Sequence, residues 1–294
     1  MTSFLFVLLQ GISILIFGHS FGVDSTELLP AIAVESGVND LTVGRFIKGN
    51  CSLEEHWNFL QADSLKYSEC LPSKTKFAKV KLTYREAIAS RKWDYVIFQT
   101  SLENEGRYET SQPWLNNLVS CVRKIQQEKF GVQPTICWNM FWPISRLHEN
   151  GKHERSKYRL SFYGNSSQKA WEAYVSATKE MSKDTGIDFI IPTGTAVMNF
   201  RASSLNSPDV KELTRDGYHM NYGAGRYLAA CTMYERILKP IYRKNIALPK
   251  SGEIFPGTEK YALPIDRKVG KALVGFAKQA VAHPYEVTAR SRRR

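Results

Sequence analysis

Cysteine is scarce in this chain of 294 residues: there are five, Cys51, Cys70, Cys121, Cys137 and Cys231, and none stand in a Cys-x-x-Cys spacing. That excludes a zinc ribbon or a dithiol redox motif and leaves at least one thiol unpaired. Cys121, Cys137 and Cys231 fall beside apolar neighbours in helical or strand patterns, which predicts buried packing. A disulfide between Cys51 and Cys70 is the pairing expected if the chain is exported. Acidic residues are also few, 28 against 40 Lys and Arg, for a net charge of +12. A third of that excess belongs to Arg290, Arg292, Arg293 and Arg294 at the extreme C-terminus. No helix-turn-helix, zinc-finger or RNA-binding signature organises the rest, so the basic surface reads as solvated and no nucleic-acid partner is expected.

Long apolar runs are missing too, and nothing reaches the roughly 18 residues needed to cross a bilayer. Residues 4–9 (FLFVLL) have the character of the apolar core of a secretory signal, yet no Lys or Arg precedes Arg45 and no small-residue cleavage site follows. The run is either an added turn of core or the remnant of an export signal, leaving two compartments open: periplasmic or secreted in the second case, cytoplasmic in the first. His148 and His153 lie in a charged segment without partnered carboxylates, which predicts solvent-facing side chains rather than metal ligands. No metal and no organic cofactor is expected.

What the chain does have is apolar and aromatic residues, 43% and 12%, enough for a sizeable core. Short apolar strands alternate with helical patterns: strands at 12–17, 41–47, 95–98, 135–140 and 189–191, and helices near 25–35, 53–60 and 84–90. Further helices are marked by Leu115, Leu118, Val122 and Ile125, by Trp171, Tyr174, Val175 and Thr178, and by the apolar face of 223–238. Residues 142–165 read as irregular. Five short buried strands with helical crossovers imply an α/β fold with a mostly parallel sheet covered on both faces, binding ligands at the carboxyl ends of its strands. The division expected is one domain over 1–241 and an extension over 242–294, whose helix 267–281 presents Val269, Leu273, Phe276 and Ala280 for docking on the body.

Two segments carry chemistry. Gly18-His19-Ser20-Phe21 follows the first strand and precedes the first helix, which places the Ser20 hydroxyl at the strand's carboxyl end, beside a helix N-terminus that favours developing negative charge. Asp216-Gly217-Tyr218-His219 lies in a loop before the last periodic helix. With Asp three positions before His in a non-helical turn, the carboxylate can curl back to imidazole Nδ1 while Nε2 faces a serine. Taken singly, each segment reads better as a helix cap or a turn than as a catalytic group.

Together they resemble the SGNH (GDSL-type) hydrolase superfamily, whose first block sets the nucleophile in Gly-Asp-Ser and whose last block reads Asp-x-x-His. His19 departs from the usual Asp. GNCSLEEHW, WDYVIF, IPTGTAV, TRDGYH and YGAGRYLAACTMYE are similar to a branch known only as a domain of unknown function, in which that middle position is commonly Asn, and the similarity spans about residues 12–240. It implies a three-layer α/β/α, flavodoxin-like fold with a five-stranded sheet, and a serine esterase with Ser20, Asp216 and His219 as the triad. The second block implies Gly49 as an oxyanion amide beside that of Ser20. The third block has no Gly-x-Asn here, so Gln99 is the expected amide donor, with Asn50 or Ser101 as the alternative. Asn50, Ser101 and Trp142 are expected to touch substrate; Trp57, Tyr108, Trp114 and Tyr163 lie in or beside segments after strands, where aromatics can stack on sugars, but at helical spacing core packing is the favoured reading. The activity implied is removal of acetyl groups from a glycan. A lipase or lysophospholipase is the alternative within the same chemistry, and a catalytically silent glycan-binding module is the alternative outside it.

Overall fold

A computed structural model describes residues 11–148, 154–184 and 186–288. In chain order it contains β1 Ser13–Gly18, α1 Ser20–Thr26, α2 Leu29–Glu35, β2 Thr42–Ile47, α3 Leu53–Gln61, β3 Tyr67–Cys70, β4 Ala78–Lys79, α4 Tyr84–Ala89 and β5 Tyr95–Phe98. There follow α5 Trp114–Phe130, β6 Thr135–Asn139, α6 Glu154–Ser161, α7 Ser167–Asp184, β7 Phe189–Ile191, α8 Thr193–Arg201, α9 Ala224–Met233, α10 Lys239–Tyr242 and α11 Arg267–Ala282. The apolar run at 4–9, His153 and the terminal arginines lie outside the described residues.

The strands form one sheet in the order β4-β3-β2-β1-β5-β6-β7. Five are parallel, and β3 and β4 add an antiparallel edge beside β2. The sheet thus has seven strands rather than five. The two extra ones escape a search for apolar runs because they are short and polar, YSEC and AK, with β4 wholly exposed. The parallel strands follow the doubly wound order in which the chain leaves β1 in opposite directions, and such sheets open a crevice at that switch point.

Alternating residues of β1 divide the core. Ile14 and Ile16 face α1, α2, α8, α9 and α11, while Leu15 and Phe17 face α3, α4 and α5. All four are fully buried, and each such side chain contributes roughly 1.5–3 kcal/mol by burial. The helix expected over 25–35 is two helices, and Pro30 near the start of α2 marks the break. Helix α6 occupies part of the segment read as irregular. Helix α8 shows no polar face because every one of its residues is buried, so periodicity could not reveal it. At the C-terminus, α11 lays Leu273, Val274, Ala277 and Ala280 into the same core as α8 and α9, with Phe276 edge-on to Phe200.

All five cysteines are free thiols. Cys70 pairs in register with Val43 near the start of β2, whereas Cys51 lies beyond that strand's other end. The four-residue offset along β2 from Val43 to Ile47 alone spans about 13 Å, well past the roughly 7 Å limit for bridging Cα atoms. Among the described residues no helix is long and apolar enough to cross a membrane.

Candidate active site

The loops after β1, β2 and β5 meet the Asp216–His219 turn around a cavity of ≈ 340 Å³ lined by His19, Ser20, Phe21, Gly49, Asn50, Leu102, Arg159, Tyr218 and His219. Ser20 is not in a loop but is the first residue of α1. Its Oγ lies 2.8 Å from His219 Nε2, and His219 Nδ1 lies 2.6 Å from Asp216 Oδ2. The other oxygen, Oδ1, accepts the backbone N–H groups of Tyr218 and His219 at 3.3 and 2.8 Å. One carboxylate oxygen therefore shapes the turn while the other orients the imidazole. Partial burial pulls the Asp216 carboxyl upward, but the hydrogen bonds and charge of His219 outweigh it and hold the group down at about 2.

The turn is braced from several sides. Gly217 has φ +90°, which glycine adopts without cost, and a Cβ there would also collide with the His148 ring at 2.4 Å. His148 is accordingly half-buried against the turn rather than facing solvent. The Ser145 N–H donates to the Gly217 carbonyl at 2.7 Å, and Trp142 Nε1 donates to the Tyr218 carbonyl at 2.7 Å. Trp142 is fully buried and stacked on Phe21, with centroids 4.5 Å apart and an interplanar angle of 9°. It supports the wall from behind and does not reach the cavity, which corrects the expectation of substrate contact.

From α1, the fully buried Asp24 ties the nucleophile helix to the turn. It accepts from Arg226 Nε at 2.9 Å, from Arg215 Nη1 at 3.1 Å and from the Met220 N–H at 3.0 Å. Asp24→Asn removes the charge that neutralises two guanidinium groups. Breaking a buried pair on one side costs about 3–5 kcal/mol, so urea unfolding of the variant should show a loss of that order. A change below about 1 kcal/mol would mean that solvent compensates both arginines.

Two buried histidines flank the nucleophile. His19 caps α1 by accepting the Phe21 N–H at 3.4 Å on Nδ1. Burial, helped by the nearby His56, His219 and Arg159, drives its titration down to about 3 against the pull of the Thr100 carbonyl. Where the superfamily pattern has a carboxylate, this chain therefore holds a neutral ring. His56 on α3 contacts the Gly18 carbonyl with Nε2 at 3.1 Å and the Tyr84 hydroxyl with Nδ1 at 2.9 Å. A carbonyl only accepts, so Nε2 carries the hydrogen and Tyr84 donates to Nδ1. Burial lowers His56 to about 4, keeping it neutral.

Among the expected oxyanion donors, Ser20 and Gly49 line the cavity, and their backbone N–H groups make no hydrogen bond among the described residues. Gln99 does not line it. It lies fully buried under Gly18 and Gly22, its Oε1 3.4 Å from Asn139 Nδ2 and its Nε2 sealed from solvent without a partner. Ser101 is also buried, turning the chain by accepting the Asn104 and Glu105 N–H groups at its carbonyl. Asn50 does border the cavity. With φ +52°, it accepts the Leu102 N–H at 3.2 Å and donates from Nδ2 to Glu103 Oε2 at 2.5 Å. Trp57, Tyr108, Trp114 and Tyr163 are not among the lining residues.

Sequence reasoning missed Phe21, Leu102, Glu103, Arg159, Tyr218 and the Asp24 clamp. Phe21, Tyr218 and the clamp's Arg215 and Arg226 sit inside segments it had singled out, GHSF, TRDGYH and YGAGRYLAACTMYE, without being given a role. Among the described residues no group of three or more His, Cys, Asp or Glu is placed to hold a metal ion.

No curated protein matches the sequence. The fold is similar to the crystal structure of a DUF4886 family protein from Bacteroides uniformis ATCC 8492, with a TM-score of 0.77 and 26% identity over 95% of this chain and 98% of that one. Weaker likenesses are to an SGNH-hydrolase-type protein from Slackia heliotrinireducens and to an acetyl xylan esterase, AlAXEase. The first has a TM-score of 0.49 and 20% identity over 76% of this chain and 98% of that one, and the second 0.44 and 13% over 77% and 100%. Residues 13–253 match the family described as a domain of unknown function, DUF4886, and the chain belongs to that family.

Proposed function

We propose that the protein is a serine ester hydrolase acting through an acyl-enzyme, and that its substrates are acetyl esters carried on a glycan. The observation that supports it most is the continuous relay from Asp216 Oδ2 through His219 to Ser20 Oγ, with spacings of 2.6 and 2.8 Å, opening on a cavity. In this reading His219 Nε2 takes the Ser20 proton as Oγ attacks the ester carbonyl. The oxygen that becomes negative is held by the Ser20 and Gly49 N–H groups, aided by the N-terminus of α1. The tetrahedral intermediate collapses, and the imidazolium returns its proton to the departing sugar oxygen. Water then attacks the acyl carbonyl while giving a proton to His219, and the imidazolium returns that proton to Ser20 Oγ as the ester bond breaks and acetate leaves.

Support for a small acyl group comes from the walls: Phe21, backed by stacked Trp142, lies with Leu102 and Tyr218 among lining residues that, Gly49 apart, are otherwise polar or charged. Activity should therefore be measured on p-nitrophenyl esters from acetyl to octanoyl and, by acetate release, on acetylated polysaccharides. The expected result is a kcat/KM that is highest for acetyl and falls by about tenfold or more by octanoyl, each factor of ten being 1.4 kcal/mol. Preferential turnover of octanoyl would replace this reading with a lipase. No turnover of any ester would leave a binding module.

A further inference from the structure

We infer that Arg159 forms a subsite for a carboxylate carried by the substrate; this deepens the esterase reading above and rests on it for the reaction, though not for the binding. Arg159 projects from α6 to the cavity, where it is the one permanently charged side chain among the lining residues, and no carboxylate shares that lining to repel an anion. Its side chain is 12% exposed. Glu103 Oε1 accepts from Nε at 2.7 Å, and the guanidinium lies 5.2 Å from the centroid of the Tyr218 ring. Nη1 is buried and has no hydrogen-bond partner among the described residues.

That arrangement holds the arginine at its Nε and leaves Nη1 without a partner among the described residues. Glu103 joins two walls, accepting from Arg159 through one oxygen and from Asn50 Nδ2 through the other. The guanidinium is thereby fixed in orientation while Nη1 stays desolvated and unpaired. A buried donor left in that state carries a penalty until an acceptor arrives. The planar guanidinium fork matches a carboxylate, and a hydrogen bond to a charged group is stronger than one to a sugar hydroxyl. A neutral sugar would be served as well by an uncharged amide, without desolvating a cation. The carboxylate belongs either to the alcohol side, as in an acidic sugar, or to the acyl side.

Two substrate pairs separate those sources: 3-acetoxybenzoate against its methyl ester, with the anion on the leaving alcohol, and an aryl hemisuccinate against its methyl ester, with the anion on the acyl group. In the wild type one acid should exceed its neutral partner in kcat/KM by about 10- to 100-fold, the worth of a charged hydrogen bond. In Arg159→Gln that ratio should collapse toward unity whatever the absolute rates, and Arg159→Lys should restore part of it. Equal ratios in wild type and Arg159→Gln, or no preference in either pair, would overturn the subsite. A binding arm is independent of turnover: Ser20→Ala should bind 3-acetoxybenzoate or the hemisuccinate calorimetrically, and Ser20→Ala with Arg159→Gln should not. If the wild type hydrolyses no ester but that difference holds, the esterase reading falls and the carboxylate subsite stands. Equal binding by both variants would overturn the subsite.

Discussion

Ser20→Ala is expected to lower kcat/KM for an acetyl ester by about 10⁴- to 10⁶-fold, the range seen when a hydrolase loses its nucleophile, while leaving thermal unfolding close to that of the wild type. The two halves of this expectation have separate causes. Ser20 Oγ makes a hydrogen bond to His219 and none to the helix caps, which are supplied by His19. Alanine also suits the first turn of α1, where serine is a poorer helix former. Folding therefore has little to lose. Chemistry has nearly everything to lose, because the remaining Ser20 and Gly49 amides stabilise an oxyanion that no longer has a protein oxygen to form it. The residual rate should be that of water attack assisted by those amides, a contribution of about 10³–10⁴-fold over solution. A serine-directed phosphonate should mark the wild type once, on the peptide bearing Ser20, and should fail to mark the variant. Turnover within tenfold of wild type by the purified variant would remove Ser20 from the reaction.

How far the site was legible from sequence depends on distance along the chain. Asp216 and His219 are three residues apart, so the turn that joins them is a local property, and Gly217 at φ +90° is its local signature. The Ser20 partnership spans 199 positions, so no local pattern reveals it, and it became readable through the joint resemblance of the two segments to a known hydrolase pattern. Gln99 shows the opposite case. A strand followed by an amide side chain suggested a donor to the substrate, but β5 pairs with β1, so the end of β5 sits beneath the nucleophile loop. The amide is then covered by Gly18 and Gly22 instead of facing the cavity. Trp142 was misplaced for a related reason: an aromatic after a strand end points to ligand or to core with equal ease, and only the Phe21 stack and the Tyr218 carbonyl decide it. Arg159 and Glu103 could not be found at all, since their pairing joins helix α6 to the loop after β5 across 56 positions with no shared periodicity.

The edge strands β3 and β4 and the buried helix α8 failed to appear for different physical reasons. The former are too polar for an apolar pattern, and the latter is buried all round, with Thr193, Thr195, Asn199 and Arg201 interrupting any apolar face. Neither carries a lining residue, which is why the site could be located while part of the scaffold went unread.

Asp216→Asn should reduce kcat/KM by about 10⁴-fold, the cost found when a triad carboxylate is replaced by its amide. The amide can still accept the Tyr218 and His219 N–H groups at its oxygen, so the turn should survive. Its NH₂ group, however, would face imidazole Nδ1 as a donor and favour the tautomer with hydrogen on Nε2, the wrong one for taking a proton from Ser20. The imidazolium formed during attack would also lose its counter-charge. The pH dependence then separates the two members of the pair. The Asp216 carboxyl is lowered from 3.8 to about 2, so it is ionised at every pH from 4 upward. The sign of the linkage follows: its contribution to stability is present above its unfolded value and is lost only as pH falls from about 4 toward 2. A fall in wild-type kcat/KM between pH 8 and 4 accordingly does not come from Asp216. A single acid limb of unit slope in that window, on one soluble acetyl ester, is the expected profile. A wild-type rate that stays flat down to pH 4, or an Asp216→Asn rate within tenfold of wild type, would reduce Asp216-Gly217-Tyr218-His219 to a structural turn and end the triad assignment.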